Sequence, residues 1–281
     1  MKRHLALALT GRTVLVTGAG SGIGAATSRA LVARGANVVL VDLRQEPLDE
    51  LAAVLGPQSL PVAADVTDRA AVGVAVAAAV ARFGSLDVCF ANAGIAASSP
   101  TTVRSSSEKE FERIIEVDVL GVWRTVRSCL PEVTKANGHI LVTSSVYAFF
   151  NGTANAPYAM SKAAVESFGR SLRGELAGTG TTAGVLYPGW VNTPIIKASH
   201  EDHPAAQELI RLAYPRPYRS PIAPERVAAA VVRGIEGRSA RIICPRRWAP
   251  VSASRGVVNI LSDALIDRHR RMQALIRQLE G

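Results

Sequence analysis

The chain reads as an α/β protein: a doubly wound parallel sheet of about seven strands with helices on both faces. Three observations predict it. Short β-branched apolar runs alternate with longer Ala-rich stretches of helical periodicity. A glycine-rich stretch joins the first such run to the first helical stretch. No Pro-, Gly- or Ser-rich linker and no internal repeat divides the 281 residues, so 1–281 is expected to form a single domain.

In chain order, strands are predicted at 13–17, 37–42, 60–64, 86–91, 139–144, 182–187 and 240–244. These runs are apolar on both faces, as strands covered on both sides are. Helical windows lie between them, among others at 22–33, 68–83, 107–130 and 157–177. Two segments break the rhythm. Residues 189–224 are rich in Pro and aromatics with little regular pattern, and a loop that long in a compact domain is usually functional, here a substrate loop. Residues 246–281 form a helical extension, expected to pack an apolar stripe through Val257, Leu261, Leu265, Leu275 and Leu279 against this subunit or a partner.

Composition narrows the class. With 48% hydrophobic and 20% charged residues, the chain has a soluble protein's core. The net charge of +9 comes mainly from Arg spread along the chain, with no basic run interleaved with aromatics. A nucleic-acid partner is therefore not expected, and membrane contact through Arg268, Arg270 and Arg271 is the minor alternative. Cys89, Cys129 and Cys244 lack metal-ligand spacing and read as reduced core thiols of a cytoplasmic protein, with no metal site. The apolar run after Met1-Lys2-Arg3-His4 is too short for a signal peptide.

The stretch Thr17-Gly18-Ala19-Gly20-Ser21-Gly22-Ile23-Gly24 follows the first strand and opens the first helix. Glycines there permit a tight turn and close backbone approach to a pyrophosphate, which would sit over the helix N-terminus where free N–H groups favour anions. Asp42 closes the second strand, 18 residues beyond Gly24, where a carboxylate can accept hydrogen bonds from an adenosine ribose. Asp65-Val66 and Asn92-Ala93-Gly94 end the third and fourth strands, at the carboxyl ends where open parallel sheets bind ligands.

Tyr158 and Lys162 stand four residues apart and so share one helix face. A tyrosine has a pKa near 10, and a neighbouring ammonium favours its phenolate. Ser144-Ser145 ends the fifth strand upstream, and Pro188-Gly189-Trp190-Val191-Asn192-Thr193 ends the sixth downstream.

Taken together over residues 10–245, these motifs resemble the short-chain dehydrogenase/reductase family in its single-domain form. The resemblance implies a Rossmann-like fold and hydride transfer between a nicotinamide cofactor and an alcohol or ketone. It implies that Ser145 polarises the substrate oxygen, that Tyr158 is the general acid/base, and that Lys162 lowers the Tyr158 pKa and binds the nicotinamide ribose. Gly18, Ser21, Gly22, Ile23 and Gly24 would bind the cofactor phosphates, and Asp65 and Val66 its adenine. Asn92 and Gly94 would line the cofactor cleft, and Pro188, Gly189, Val191 and Thr193 would meet the nicotinamide end. A homotetramer or homodimer is implied as well. Asp42 points to NAD in preference to NADP.

Two residues depart from the family pattern. Ala91 replaces the first Asn of an Asn-Asn-Ala-Gly turn, which costs a structural hydrogen bond. Asp118, in Val117-Asp118-Val119-Leu120-Gly121, stands where the family carries an Asn that holds a water in a proton relay to Lys; Asp accepts such a bond but has no amide donors. Ile95, Ala96, Tyr147, Phe149, Phe150, Trp190, Ile195, Ile196, Tyr214 and Tyr218 suggest an apolar pocket for a small hydrophobic alcohol or ketone. The alternatives are net non-redox chemistry on tightly held NAD and a non-catalytic dinucleotide-binding regulator. The first usually needs a larger C-terminal domain, and the second has no need of Ser145, Tyr158 and Lys162 together.

Overall fold

The computed structural model describes residues 6–194 and 204–280. Seven strands form one all-parallel sheet: β1 (Thr13–Thr17), β2 (Asn37–Asp42), β3 (Ser59–Ala63), β4 (Val88–Ala91), β5 (His139–Thr143), β6 (Thr182–Pro188) and β7 (Arg241–Cys244). Their order is β3-β2-β1-β4-β5-β6-β7. The chain reverses direction across the sheet between β1 and β4, and this switch point opens a crevice at the strands' carboxyl ends. Pro61 removes a backbone donor from β3, which the edge position tolerates.

Alternation along the strands feeds two cores. Leu15, Val39 and Val41 face one side, with α3 (Arg69–Phe83), α5 (Val122–Lys135) and α6 (Ala156–Glu175) over them. Val14, Val16, Val38 and Leu40 face the other, under α1 (Gly22–Val32), α2 (Gln45–Leu55) and α9 (Pro224–Glu236). Gly84 at φ +82 caps α3 in the left-handed conformation, and Asp68 caps its start by accepting from the Ala70 and Ala71 amides.

Three expectations are corrected. The window 107–130 is not one helix: α4 (Glu108–Ile115) passes through a π-helical turn (Glu116–Gly121) into α5. The wider turn shifts the angular register, which a 3.6-residue period does not anticipate. The described residues of 189–224 are more regular than the composition suggests, with α7 (Pro204–Ala213) and α8 (Arg216–Arg219). The extension is two helices, α10 (Ala249–Arg268) and α11 (Arg270–Gln278), and its inward face keeps Leu265 of the expected stripe but not all of it. Val257 and Leu261 are exposed, whereas Val251 and Val258 turn inward. Arg255 ties α10 to the sheet-covering helix α6 through Glu166 at 2.7 Å. Among the described residues, no helix is long and apolar enough to cross a membrane.

Candidate active site

The crevice at the switch point is a cleft of about 320 Å³. It is lined by every sequence-predicted site residue except Gly24 and Asp118, which lie just behind its wall. At one end Gly18 turns at φ +67, and the loop closes tightly on itself. A Cβ on Gly24 would lie 1.9 Å from the Gly18 carbonyl oxygen, so only glycine permits this approach of helix to loop. The N-terminus of α1 opens at Gly22 beneath it, with Ser21 at the cap position making no side-chain capping bond. Asp42 accepts the Gly20 N–H at 2.9 Å, and Arg113 reaches Asp65 at 3.3 Å. Burial pushes the Asp65 carboxyl up, but hydrogen bonds from Thr67 and the Arg113 guanidinium outweigh it and hold the group below its usual value.

Thr17 fastens the wall. Its hydroxyl accepts the Asn92 and Ala93 N–H groups at 3.0 Å each, while the Asn92 side chain donates to the Thr17 carbonyl at 3.1 Å and accepts from Thr143 at 3.2 Å. Ala91 meanwhile stays in the β4–β5 ladder opposite Val142. The turn is thus satisfied without a second Asn.

At the other end, Ser145, Tyr158 and Lys162 meet. Ser145 caps the short turn Val146–Phe149, accepting the Tyr147 N–H at 3.2 Å. Its contact with the Pro188 carbonyl is long, 3.5 Å. Helix α6 carries Tyr158 and Lys162, and Ser144 pins that helix to the end of β5 by donating to the Lys162 carbonyl at 2.7 Å. The Lys162 ammonium lies 5.2 Å from the centre of the Tyr158 ring. Behind it, Asp118 Oδ2 approaches Lys162 Nζ at 2.9 Å, with both side chains buried. Burial alone would lower the Lys162 pKa; the Asp118 carboxylate and Tyr158 overcome this and raise it. Burial raises the Tyr158 phenol, Lys162 pulls it down, Asp118 pushes it up, and a hydrogen bond with Ser145 pulls it down again; the net direction is up.

Beyond Tyr158 lies an aromatic cluster. Tyr147 meets the Tyr158 ring edge-on at 5.5 Å and tilts against Trp190 at 5.8 Å, which stacks on Trp248 at 5.7 Å. A second cavity of about 270 Å³ opens behind it, walled by Tyr147, Phe150, Tyr214, Tyr218 and Trp248, with Leu265 and Met272 from the extension. Of the expected apolar lining, Ile95 faces the first cleft and Tyr147, Phe150, Tyr214 and Tyr218 the second. Phe149 does not line either: it is fully buried against Tyr187, because the turn it sits on directs it into the core. Trp190 is buried within the cluster, and Ala96 borders neither cavity. Ile195 and Ile196 lie outside the described residues.

Sequence reasoning missed Trp248, Arg113, Ser161 and the Ile95 amide. The Ile95 amide donates to Asp118 at 2.8 Å, and the Ser161 hydroxyl lies 3.2 Å from Asp118 and 2.8 Å from the Tyr158 carbonyl, which compete for its one proton. Ser161 carried a signal, standing three residues after Tyr158 on the same helix. Trp248 and Arg113 find their partners only through the fold.

The short chain dehydrogenase family profile matches residues 12–204. Momilactone A synthase of Oryza sativa subsp. japonica is 38% identical over 195 residues, which cover 68% of this chain and 70% of that protein. Cis-4-hydroxycyclohexanecarboxylate dehydrogenase of Sinomonas cyclohexanicum is 36% identical over 220 residues, covering 75% and 88%. A solved short chain dehydrogenase/reductase from Burkholderia phymatum, in complex with NAD, superimposes with a TM-score of 0.79 at 26% identity, covering 91% of this chain and 96% of the other. With the cleft, the glycine loop and these likenesses in agreement, the chain belongs to the short chain dehydrogenase family.

Proposed function

We propose that this oxidoreductase transfers a hydride between NAD(H) and a hydrophobic secondary alcohol or ketone, with Tyr158 as general acid/base. The observation that carries this reading is the meeting of Tyr158, Lys162 and Ser145 at one end of a cleft whose other end is a glycine loop over a helix N-terminus. The glycine loop and helix N-terminus at one end of the cleft support a dinucleotide. Gly94 leaves room beside the pair, since a Cβ there would come within 3.1 Å of Lys162 Nζ. Gly18, Ser21, Gly22 and Ile23 would hold the phosphates, Asp42 the adenosine ribose, and Asp65 and Val66 the adenine. Lys162 would hold the nicotinamide ribose, and Pro188, Gly189, Val191 and Thr193 the ring. The Burkholderia protein's complex with NAD supports a nicotinamide cofactor in this fold. When bound, the nicotinamide supplies or accepts the hydride.

The chain's own residues handle the proton and the oxygen. Tyr158 gives its hydroxyl proton to the forming alkoxide in reduction and takes the alcohol proton in oxidation. Ser145 donates to the same oxygen; its 3.5 Å contact with Pro188 is long enough to surrender. Lys162 steadies the phenolate, and Tyr147 borders the Tyr158 ring on the side of the second cavity.

The apolar cavity beyond Tyr147 supports a substrate with a hydrocarbon body, the carbinol at Ser145 and Tyr158 and the rest toward α10 and α11. The Sinomonas relative, whose name specifies a ring-borne hydroxyl, supports the secondary-alcohol class. On this reading 1–281 works as one domain, with 189–224 and 246–281 forming the substrate side. The test is a panel of secondary alcohols and ketones of increasing bulk, assayed by nicotinamide absorbance with NAD and NADP. Turnover of cyclic or polycyclic members is expected; no turnover of any alcohol or ketone would overturn the reading.

A further inference from the structure

Asp118 sits within the π-helical turn with a fully buried side chain. Its Oδ1 accepts the Ile95 N–H at 2.8 Å, and its Oδ2 accepts from Ser161 Oγ at 3.2 Å and Lys162 Nζ at 2.9 Å. The carboxylate is thus held by the Ile95 N–H before the ammonium is counted, while the single Ser161 hydroxyl proton is shared with the Tyr158 carbonyl, 2.8 Å away. Tyr158 therefore faces an ion pair across 5.2 Å, not a lone cation.

We propose, resting on the assignment of Tyr158 as acid/base, that Asp118 is a positioning residue that offsets the Lys162 charge. It thereby keeps Tyr158 protonated to higher pH than an uncharged residue there would allow. A lone ammonium favours the phenolate strongly in a buried site; a carboxylate in contact with it turns the charge into a dipole, whose pull falls off faster with distance. The groups facing the phenol are Lys162 from α6, Asp118 from the π-helical turn, and Ser145 and the Tyr147 ring from the turn after β5. Lys162 acts on it more strongly than Asp118, so the offset is partial.

The consequence is directional. Reduction of a ketone needs Tyr158 protonated, and oxidation of an alcohol needs it ionised. The ion pair extends the pH range of reduction upward and confines oxidation to more alkaline solution. Asp118→Asn keeps the side chain's size and removes the charge, leaving one acceptor oxygen for either the Ile95 N–H or Lys162 Nζ. The Tyr158 midpoint should then fall by about one pH unit, about tenfold in proton affinity.

The test is a pH titration of the full chain carrying ¹³Cζ-labelled tyrosine, without cofactor, followed by NMR. Tyr158→Phe identifies the Tyr158 signal. The Asp118→Asn midpoint is expected about one unit below that of the wild type. The acid limb of alcohol oxidation should move down by the same amount. A folded Asp118→Asn protein with an unmoved or higher midpoint overturns the proposal, even if its turnover is reduced. A shifted midpoint in a protein that turns over no alcohol or ketone supports the electrostatic role and refutes the acid/base reading instead.

Discussion

Asp42 closes the glycine loop by accepting the Gly20 N–H through Oδ2 at 2.9 Å, while its Oδ1 accepts the Leu43 N–H at 2.8 Å. The carboxylate is therefore held against the loop, and on the proposed cofactor assignment a 2′-phosphate would meet it there.

From this follows a preference for NAD over NADP. Two like charges at about 4 Å cost roughly 4 kcal/mol at an effective dielectric near 20. Rotation, water, salt and the nearby Arg44 should reduce that to about 2–3 kcal/mol, roughly 30- to 150-fold in kcat/KM at about 1.4 kcal/mol per decade. Asp42→Ala should narrow the gap, chiefly by weakening NAD. Equal efficiency of the two cofactors in the wild type would remove Asp42 from this role.

The second cavity should sort substrates by bulk. Ala213 lines it at the end of α7. Filling it with Ala213→Phe should raise KM for polycyclic alcohols by about tenfold, the cost of roughly 1.4 kcal/mol of lost binding. Cyclohexanol, too small to enter, should keep its kinetics. Equal effects on both alcohols would place the substrate body elsewhere.

His139 should set an acid limit on stability. Burial, with Arg238 and Arg173 nearby, pushes its pKa from 6.5 down to about 3. Its Nδ1 meets Thr182 Oγ1 at 2.8 Å. Below pH 6.5 the unfolded chain takes up a proton that the folded chain refuses until about pH 3. Stability from this residue is therefore present above 6.5 and lost as the pH falls, by about 1.4 kcal/mol per unit. Urea unfolding at pH 7, 6, 5 and 4 should show this slope in the wild type and a shallower one in His139→Gln. Parallel slopes would contradict it.

How legible the molecule was depends on how local each signal is. All seven strands were readable because runs such as 37–42 and 182–187 are apolar on both faces and end at turn residues. The glycine loop, Asp42, Ser145, Tyr158 and Lys162 were readable because their spacing along the chain reflects the chemistry of strand ends and one helix face. Asp118 was conspicuous in sequence, but its direct contact with Lys162 depends on the π-helical turn, whose register no regular period announces. The extension misled because α10 is apolar on more than one side: periodicity finds Val257 and Leu261 as easily as Val251 and Val258, and only tertiary packing chooses between them. Trp248 was silent because every aromatic it touches is distant in sequence.

The most direct test of the central claim is the single-turnover rate of hydride transfer in Tyr158→Phe, set beside its NAD affinity. The substitution removes one hydroxyl at the end of the cleft where Ser145 and Lys162 converge. Turnover should fall by at least about a hundredfold, the lower range for losing a general acid/base, while the Kd for NAD changes little. Turnover within a few-fold of wild type would contradict the assignment of Tyr158 and the mechanism built on it.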